Sequence, residues 1–236
     1  MRKKITTLCL FLGSLVILHG EDILLPLTLL TPEQQEDEGY VRQRKMYPQQ
    51  NRERISNQAC LDGFKLLLKD HNLAEAMSAF NRAWRFNPEN YAAYWGTGII
   101  RGKQAEKTHN ETEVARYLQE SISLLEKAVT MAPAVEKCNA QLDLMHSLNG
   151  IGAFQMAKGS STEAAKALDQ AEKIGKELVN TIPKNGRAHF VMACTYFYKK
   201  EFQKAKQEIL LATENNYPVP KDFHADVENG LLAGSH

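Results

Sequence analysis

AMSAFNRAWRFNP (residues 76–88) and SISLLEKAVTMAP (residues 121–133) place small and large residues at the same offsets before a proline. Ala76, Phe80, Ala83 and Pro88 are spaced 4, 3 and 5, and Ser121, Leu125, Ala128 and Pro133 repeat that spacing. Ala205, Ile209 and Ala212 follow it with Pro218 one place late, and Ala164, Leu168 and Ala171 match its first three positions. Offsets of three and four bring such residues onto one helical face. A proline just beyond stops that helix and opens the next unit. Pro88, Pro133, Pro183 and Pro218 are 45, 50 and 35 residues apart, a repeat of variable length.

The helix before each of these also has a common form. Ala193 lies twelve residues upstream of Ala205 and Gly152 twelve upstream of Ala164; in the second unit the equivalent is Gly98, with Tyr94 four positions earlier. Gly98 belongs to YAAYWGTGIIRGKQ (91–104), a helical pattern in which Gly96, Gly98 and Gly102 together cost up to ~3 kcal/mol relative to alanine. A phosphate-binding loop fails as the explanation. Five residues separate Gly96 from Gly102, Gln104 replaces the hydroxyl residue, and no strand precedes the stretch.

The paired pattern resembles the tetratricopeptide repeat, a helix–turn–helix unit. The matching residues are Tyr94-x2-Thr97-Gly98, Leu148-x2-Ile151-Gly152 and His189-x2-Met192-Ala193-x2-Tyr196, each followed by the small–large–small helix above. The resemblance covers residues 56–218. It implies an all-α fold, a short right-handed solenoid of about four antiparallel helix pairs, in which Gly98 is a packing glycine. Departures are visible. Gly63 and Phe64 are displaced by one residue from the small position of unit one. Unit two carries eleven extra residues between Gly98 and Ser121, and unit three runs from Ala134 to Asn180. Asn110 with Glu113, and Ser160 with Glu163, have capping-box spacing. Residues 219–236 offer Phe223, Val227 and Leu231 for a short capping helix over the last repeat.

By the same resemblance, ligand contacts come from the first helix of each pair. Carried over, these are Ala92, Trp95, Ile99 and Gly102 in unit two; His146, Asn149, Ala153 and Met156 in unit three; and Arg187, Phe190, Cys194 and Phe197 in unit four. The resulting groove is apolar and aromatic. It lacks the lysine and asparagine set with which chaperone-binding members grip a C-terminal carboxylate. It suits an amphipathic helix or extended apolar segment, with Trp95, Phe190 and Phe197 as anchors. The competing reading of each residue is packing between repeats.

MRKKITTLCLFLGSLVILHG (1–20) has a basic start, an apolar run and a small residue before Glu21, the parts of a secretory signal. A retained membrane anchor is the alternative, sustained by a second apolar segment, ILLPLTLL (23–30). That segment, if retained, is also a candidate to fill the groove in cis. Residues 31–54 set an acidic block against a basic one with almost no apolar residues, so 21–54 reads as an apolar segment and flexible charged linker. The repeat domain then spans 55–218 and the capping helix and tail 219–236.

Without Arg2, Lys3 and Lys4 the chain has 26 basic and 28 acidic residues, which gives no electrostatic case for nucleic acid. Cys60, Cys138 and Cys194 read as small buried apolar residues, or as one disulfide and a free thiol. The seven histidines are scattered without metal-ligand spacing, and no catalytic motif is present, so no cofactor, metal or enzymatic site is expected. The expectation is a periplasmic or secreted module that binds a protein or peptide partner. The alternative is a membrane-tethered structural subunit of an envelope complex.

Overall fold

The computed structural model describes residues 27–29 and 44–233. The leader at 1–20 and most of the charged linker lie outside the described residues. Nine α-helices have both bounds among them, and no strand does. They are α1 (Gln49–Leu68), α2 (Leu73–Phe86), α3 (Tyr91–Lys107), α4 (Glu111–Met131), α5 (Ala134–Ala157), α6 (Ser161–Thr181), α7 (Gly186–Tyr198), α8 (Phe202–Glu214) and α9 (Lys221–Ala233). The chain divides into two compact units within α5, between Ala140 and Gln141. The first holds α1–α4 and the second α6–α9. In both, helices adjacent in sequence pack on one another.

Among the described residues the regular structure is all helical, in neighbouring pairs, and the spaced residues of the second helices lie in the core. Ala76, Phe80 and Ala83 of α2, Ser121, Leu125 and Ala128 of α4, Ala164, Leu168 and Ala171 of α6, and Ala205, Ile209 and Ala212 of α8 are all at most 2% exposed. Glycines in the first helices admit the large members of this set. A Cβ on Gly98 would lie 2.7 Å from Leu125 Cγ, and one on Gly152 2.7 Å from Leu168 Cγ. Gly63 fills the same role for Phe80, at 2.8 Å from Cε1. Gly96 approaches that ring from α3, so Phe80 is held between two glycines.

The turns explain why unit one is out of step. Between α5 and α6 the Ser160 N–H donates to the Gln155 carbonyl, and between α7 and α8 the Glu201 N–H donates to Tyr196, both spans of five. Between α1 and α2 the Asn72 N–H donates to Leu66, a span of six. In each turn the residue before the donor is left-handed: Gly159 (φ +79), Lys200 (φ 61) and His71 (φ 53). One inserted turn residue therefore makes Gly63 rather than Phe64 the partner of Phe80.

The eleven extra residues of unit two lie wholly within helices. Gly98 is nine residues from the end of α3, against five from Gly152 to the end of α5. Leu125 is fourteen residues into α4, against seven for Leu168 in α6. About one turn is thus added to α3 and two to α4. Arg101 is buried in this region, 3% exposed, with its Nε 2.7 Å from Glu120 Oε2 and its Nη1 donating to Gln104 at 2.6 Å.

Asparagines cap four of the helices. Asn72, Asn90, Asn110 and Asn185 accept from backbone N–H groups in the first turns of α2, α3, α4 and α7. Asn90 also donates to Ser56 and Asn57 of α1, and the Ser56 hydroxyl donates to the Ala83 carbonyl of α2, so the start of α3 is tied to both helices before it. The Asn110–Glu113 box is routed through Thr108, whose hydroxyl donates to Glu113 and accepts from the Asn110 N–H. Ser160, expected to cap α6, makes no side-chain cap bond. Helix α1 begins at Gln49, six residues before the expected start of the repeat domain. The linker reading therefore does not hold for residues 49–54, where an α-helix follows Pro48.

Candidate functional site

In the first unit Trp95 and Ile99 stand one helical turn apart on α3, both half-buried. The Trp95 indole meets the Phe64 ring edge-on, with centroids 5.1 Å apart, and Phe64 meets Phe80 in the same way at 5.1 Å. On α1, Leu61 and Leu68 are 65% and 59% exposed and fall on the helical face that carries Phe64. Leu61, Phe64 and Leu68 of α1, joined through the Phe64 ring to Trp95 with Ile99 one turn beyond it, make an apolar strip that the fold covers only in part. The sequence reading named Trp95 and Ile99 but missed the residues of α1. Their signal was there, in apolar residues at i, i+3 and i+7 beside the buried set Ser56, Cys60, Gly63 and Leu67.

Tyr94 and Trp84 lie beneath, both at most 1% exposed, with the Trp84 indole N–H donating to the Tyr94 hydroxyl at 3.0 Å. Lys127 Nζ stands 4.2 Å from the centre of the Tyr94 ring.

The second unit treats its expected contact residues differently. Phe190 is 7% exposed; it stacks on Tyr217 at 5.1 Å and meets Phe223 edge-on at 5.5 Å. Phe197 is half-buried and packs edge-on against Phe223 at 5.3 Å and Phe202 at 5.9 Å. Helix α9 therefore covers the aromatic positions of α7, with Phe223 and Val227 fully buried in its own face and Leu231 half-buried. Asn149 is buried, its amide donating to the Val191 carbonyl at 3.2 Å. Arg187 is paired with Asp143, and His146 and Met156 are half-buried on α5. Of the eight expected groove residues, Phe190 and Asn149 are thus core positions, and Phe197 shares an aromatic cluster with α9.

Titratable groups in the second unit serve its packing. His189 Nδ1 is 2.7 Å from Glu208 Oε2 and its Nε2 2.8 Å from the Pro183 carbonyl, so both ring nitrogens face acceptors. The ring bolts α7 to α8 and to the turn before α7. Cys60 and Cys194 are buried and Cys138 half-buried, and no disulfide joins any of the three. Burial pushes the Cys60 thiol up to about 12, which keeps it protonated and unreactive. Among the described residues no group of three His, Cys, Asp or Glu side chains is placed to hold a metal ion. Among them, too, no helix is long and apolar enough to cross a membrane.

No family model matches this chain, and no curated protein or solved structure is significantly similar to it.

Proposed function

We propose that this chain is an exported protein-interaction module built from tetratricopeptide-like helix pairs, and that it acts without chemistry of its own. Its ligand is an amphipathic helix or an extended apolar segment of a partner protein. The observation that carries this reading is the strip of Leu61, Phe64, Leu68, Trp95 and Ile99, where two leucines more than half exposed share a helical face with the phenylalanine on which a half-buried tryptophan packs. Tryptophan is among the residues enriched at binding hot spots, and the surrounding apolar contacts serve to exclude water from it. The small–large contacts of Gly63 with Phe80, Gly98 with Leu125 and Gly152 with Leu168 support the repeat reading.

The membrane-tethered alternative draws on the leader at 1–20. The seating of Leu29 among the helices favours a soluble role for the second apolar segment, leaving the first as the tether.

The test is affinity purification of the intact chain from its native cells after mild crosslinking, beside a Leu61→Asp, Trp95→Ala form. A partner lost only from the double variant, with helicity and melting temperature retained, supports the binding strip. An early-melting variant, or the same partners from both forms, counts against it. Retention of residues 1–20 by mass, with resistance to extraction by salt and alkali, would turn the reading toward the tethered subunit.

A further inference from the structure

Residues Leu27–Leu29 form a single 3₁₀ turn that packs on α2, α3 and α4 at once. Thr28 is 6% exposed, and Leu29 is half-buried against the core cluster that contains Trp84 and Tyr94. A second piece of the same N-terminal arm also lies on α2. The Arg44 guanidinium stands 5.8 Å from the centre of the Trp84 ring, and Tyr47 meets Phe86 edge-on at 5.5 Å. An isolated three-residue turn has no stability of its own, so its shape is imposed by the surface beneath it.

We propose that this surface of α2, α3 and α4 is a docking site for a short leucine-rich segment, and that the chain's own residues 27–29 are its resident occupant. Three observations support the assignment. The arm is apolar at every position of ILLPLTLL (23–30) except Thr28, and Glu33, Glu36, Asp37 and Glu38 then make the connection to α1 strongly polar. The contact is small and Leu29 only half-buried, which suits a replaceable ligand better than a core element. The arm also returns to the same helix at Arg44 and Tyr47, which keeps it close to the site. A segment tethered over so short a connection competes at an effective concentration in the roughly millimolar range. A partner segment of the same chemistry must displace it, and its apparent affinity falls in proportion to the time the site is closed. This inference rests on the arm's contacts and is independent of the Trp95 strip.

The test uses the full chain, its Leu29→Asp variant, and a fluorescein-labelled peptide of residues 21–36 followed by anisotropy. The peptide should bind the variant about tenfold or more tighter than the wild-type chain. An unlabelled peptide carrying Leu29→Asp should fail to compete. Thr28→Arg, which places a charge at the other buried position, should open the site in the same way. Equal binding to wild type and variants, or binding to none of them, overturns the proposal. Early melting of both variants without rescue by the peptide does so as well, because Leu29 is then ordinary core. A wild-type dimer abolished by Leu29→Asp would overturn the cis assignment, since the occupant would be the arm of a second copy.

Discussion

The ring of Phe80 occupies the space that a side chain on Gly96 would need, and Gly63 meets the same ring from α1. Phe80 is fully buried and belongs to a dense cluster, so it has little room to withdraw. Gly96→Ala should therefore destabilise the first unit by about 1–3 kcal/mol through overpacking, despite the better helix propensity of alanine. A urea or thermal melt followed by circular dichroism measures this. An unchanged midpoint would remove close packing as the reason for glycine in this helix.

Gly159 poses the opposite case. Its φ is +79 and nothing lies within 4 Å of a Cβ built there, so only backbone conformation is at issue. Gly159→Ala should cost about 1–2 kcal/mol. Lys200, left-handed at the corresponding turn (φ 61), should respond the other way, with Lys200→Gly gaining up to ~1 kcal/mol. Equal and opposite shifts in melting midpoint would show that the two turns are equivalent; a destabilised Lys200→Gly would refute this.

Removing Phe223 should strip α9 from the second unit. The side chain is fully buried and meets both Phe190 and Phe197. Phe223→Ala should cost about 3–5 kcal/mol in that unit, with new binding of a hydrophobic dye as the α7 aromatics become exposed. A variant that melts normally and binds no dye would show that α9 contributes little to closing the unit.

The pH dependence of the second unit should carry the signature of Lys199. Its ammonium bonds Asp169 at 2.6 Å and also Glu172, which in turn receives Lys176. Burial would raise the Glu172 carboxyl, but hydrogen bonds from Lys176 and Lys199 outweigh it and hold the group below its ordinary 4.5. The stabilisation is complete above pH 4.5 and is lost as the pH falls through the depressed folded value. Burial would likewise lower Lys199, yet Asp169 and Glu172 raise it above 10.5, so its share persists below 10.5 and is lost only as the pH rises through the folded value. Lys199→Met should cost about 1 kcal/mol at pH 7 and much less at pH 3. Melts at the two pH values decide it, and a difference independent of pH would discount the ion pairs.

Much of the helix pairing was legible because it depends on local spacing. The residues around Phe80, Leu125, Leu168 and Ile209 share offsets that only a helix brings onto one face, and all four are buried. The bounds of the long third pair were readable from Pro133 and Pro183, which flank α5 and α6. The displaced Gly63 could not be placed, since one residue more or less in a surface turn leaves no periodic trace. The contact residues were harder still. Trp95 and Phe190 both sit on first helices, at offsets that sequence treats as equivalent. What separates them is whether another element covers them, and for Phe190 that element is α9, some thirty residues further along the chain. The placement of Leu29 was open for the same reason, because an apolar arm reads alike whether it enters a membrane or a protein surface.

The position of Phe223 against α7 also bears on how such a chain can grow. Repeat proteins lengthen by duplicating a hairpin and stacking the copy on the previous last one. In the second unit the aromatic face of the α7–α8 pair, where an added hairpin would have to pack, is already taken by the thirteen residues of α9. A duplication inserted after α8 must move that helix outward with it, so any lengthened descendant would carry its counterpart of Phe223 behind its own final pair.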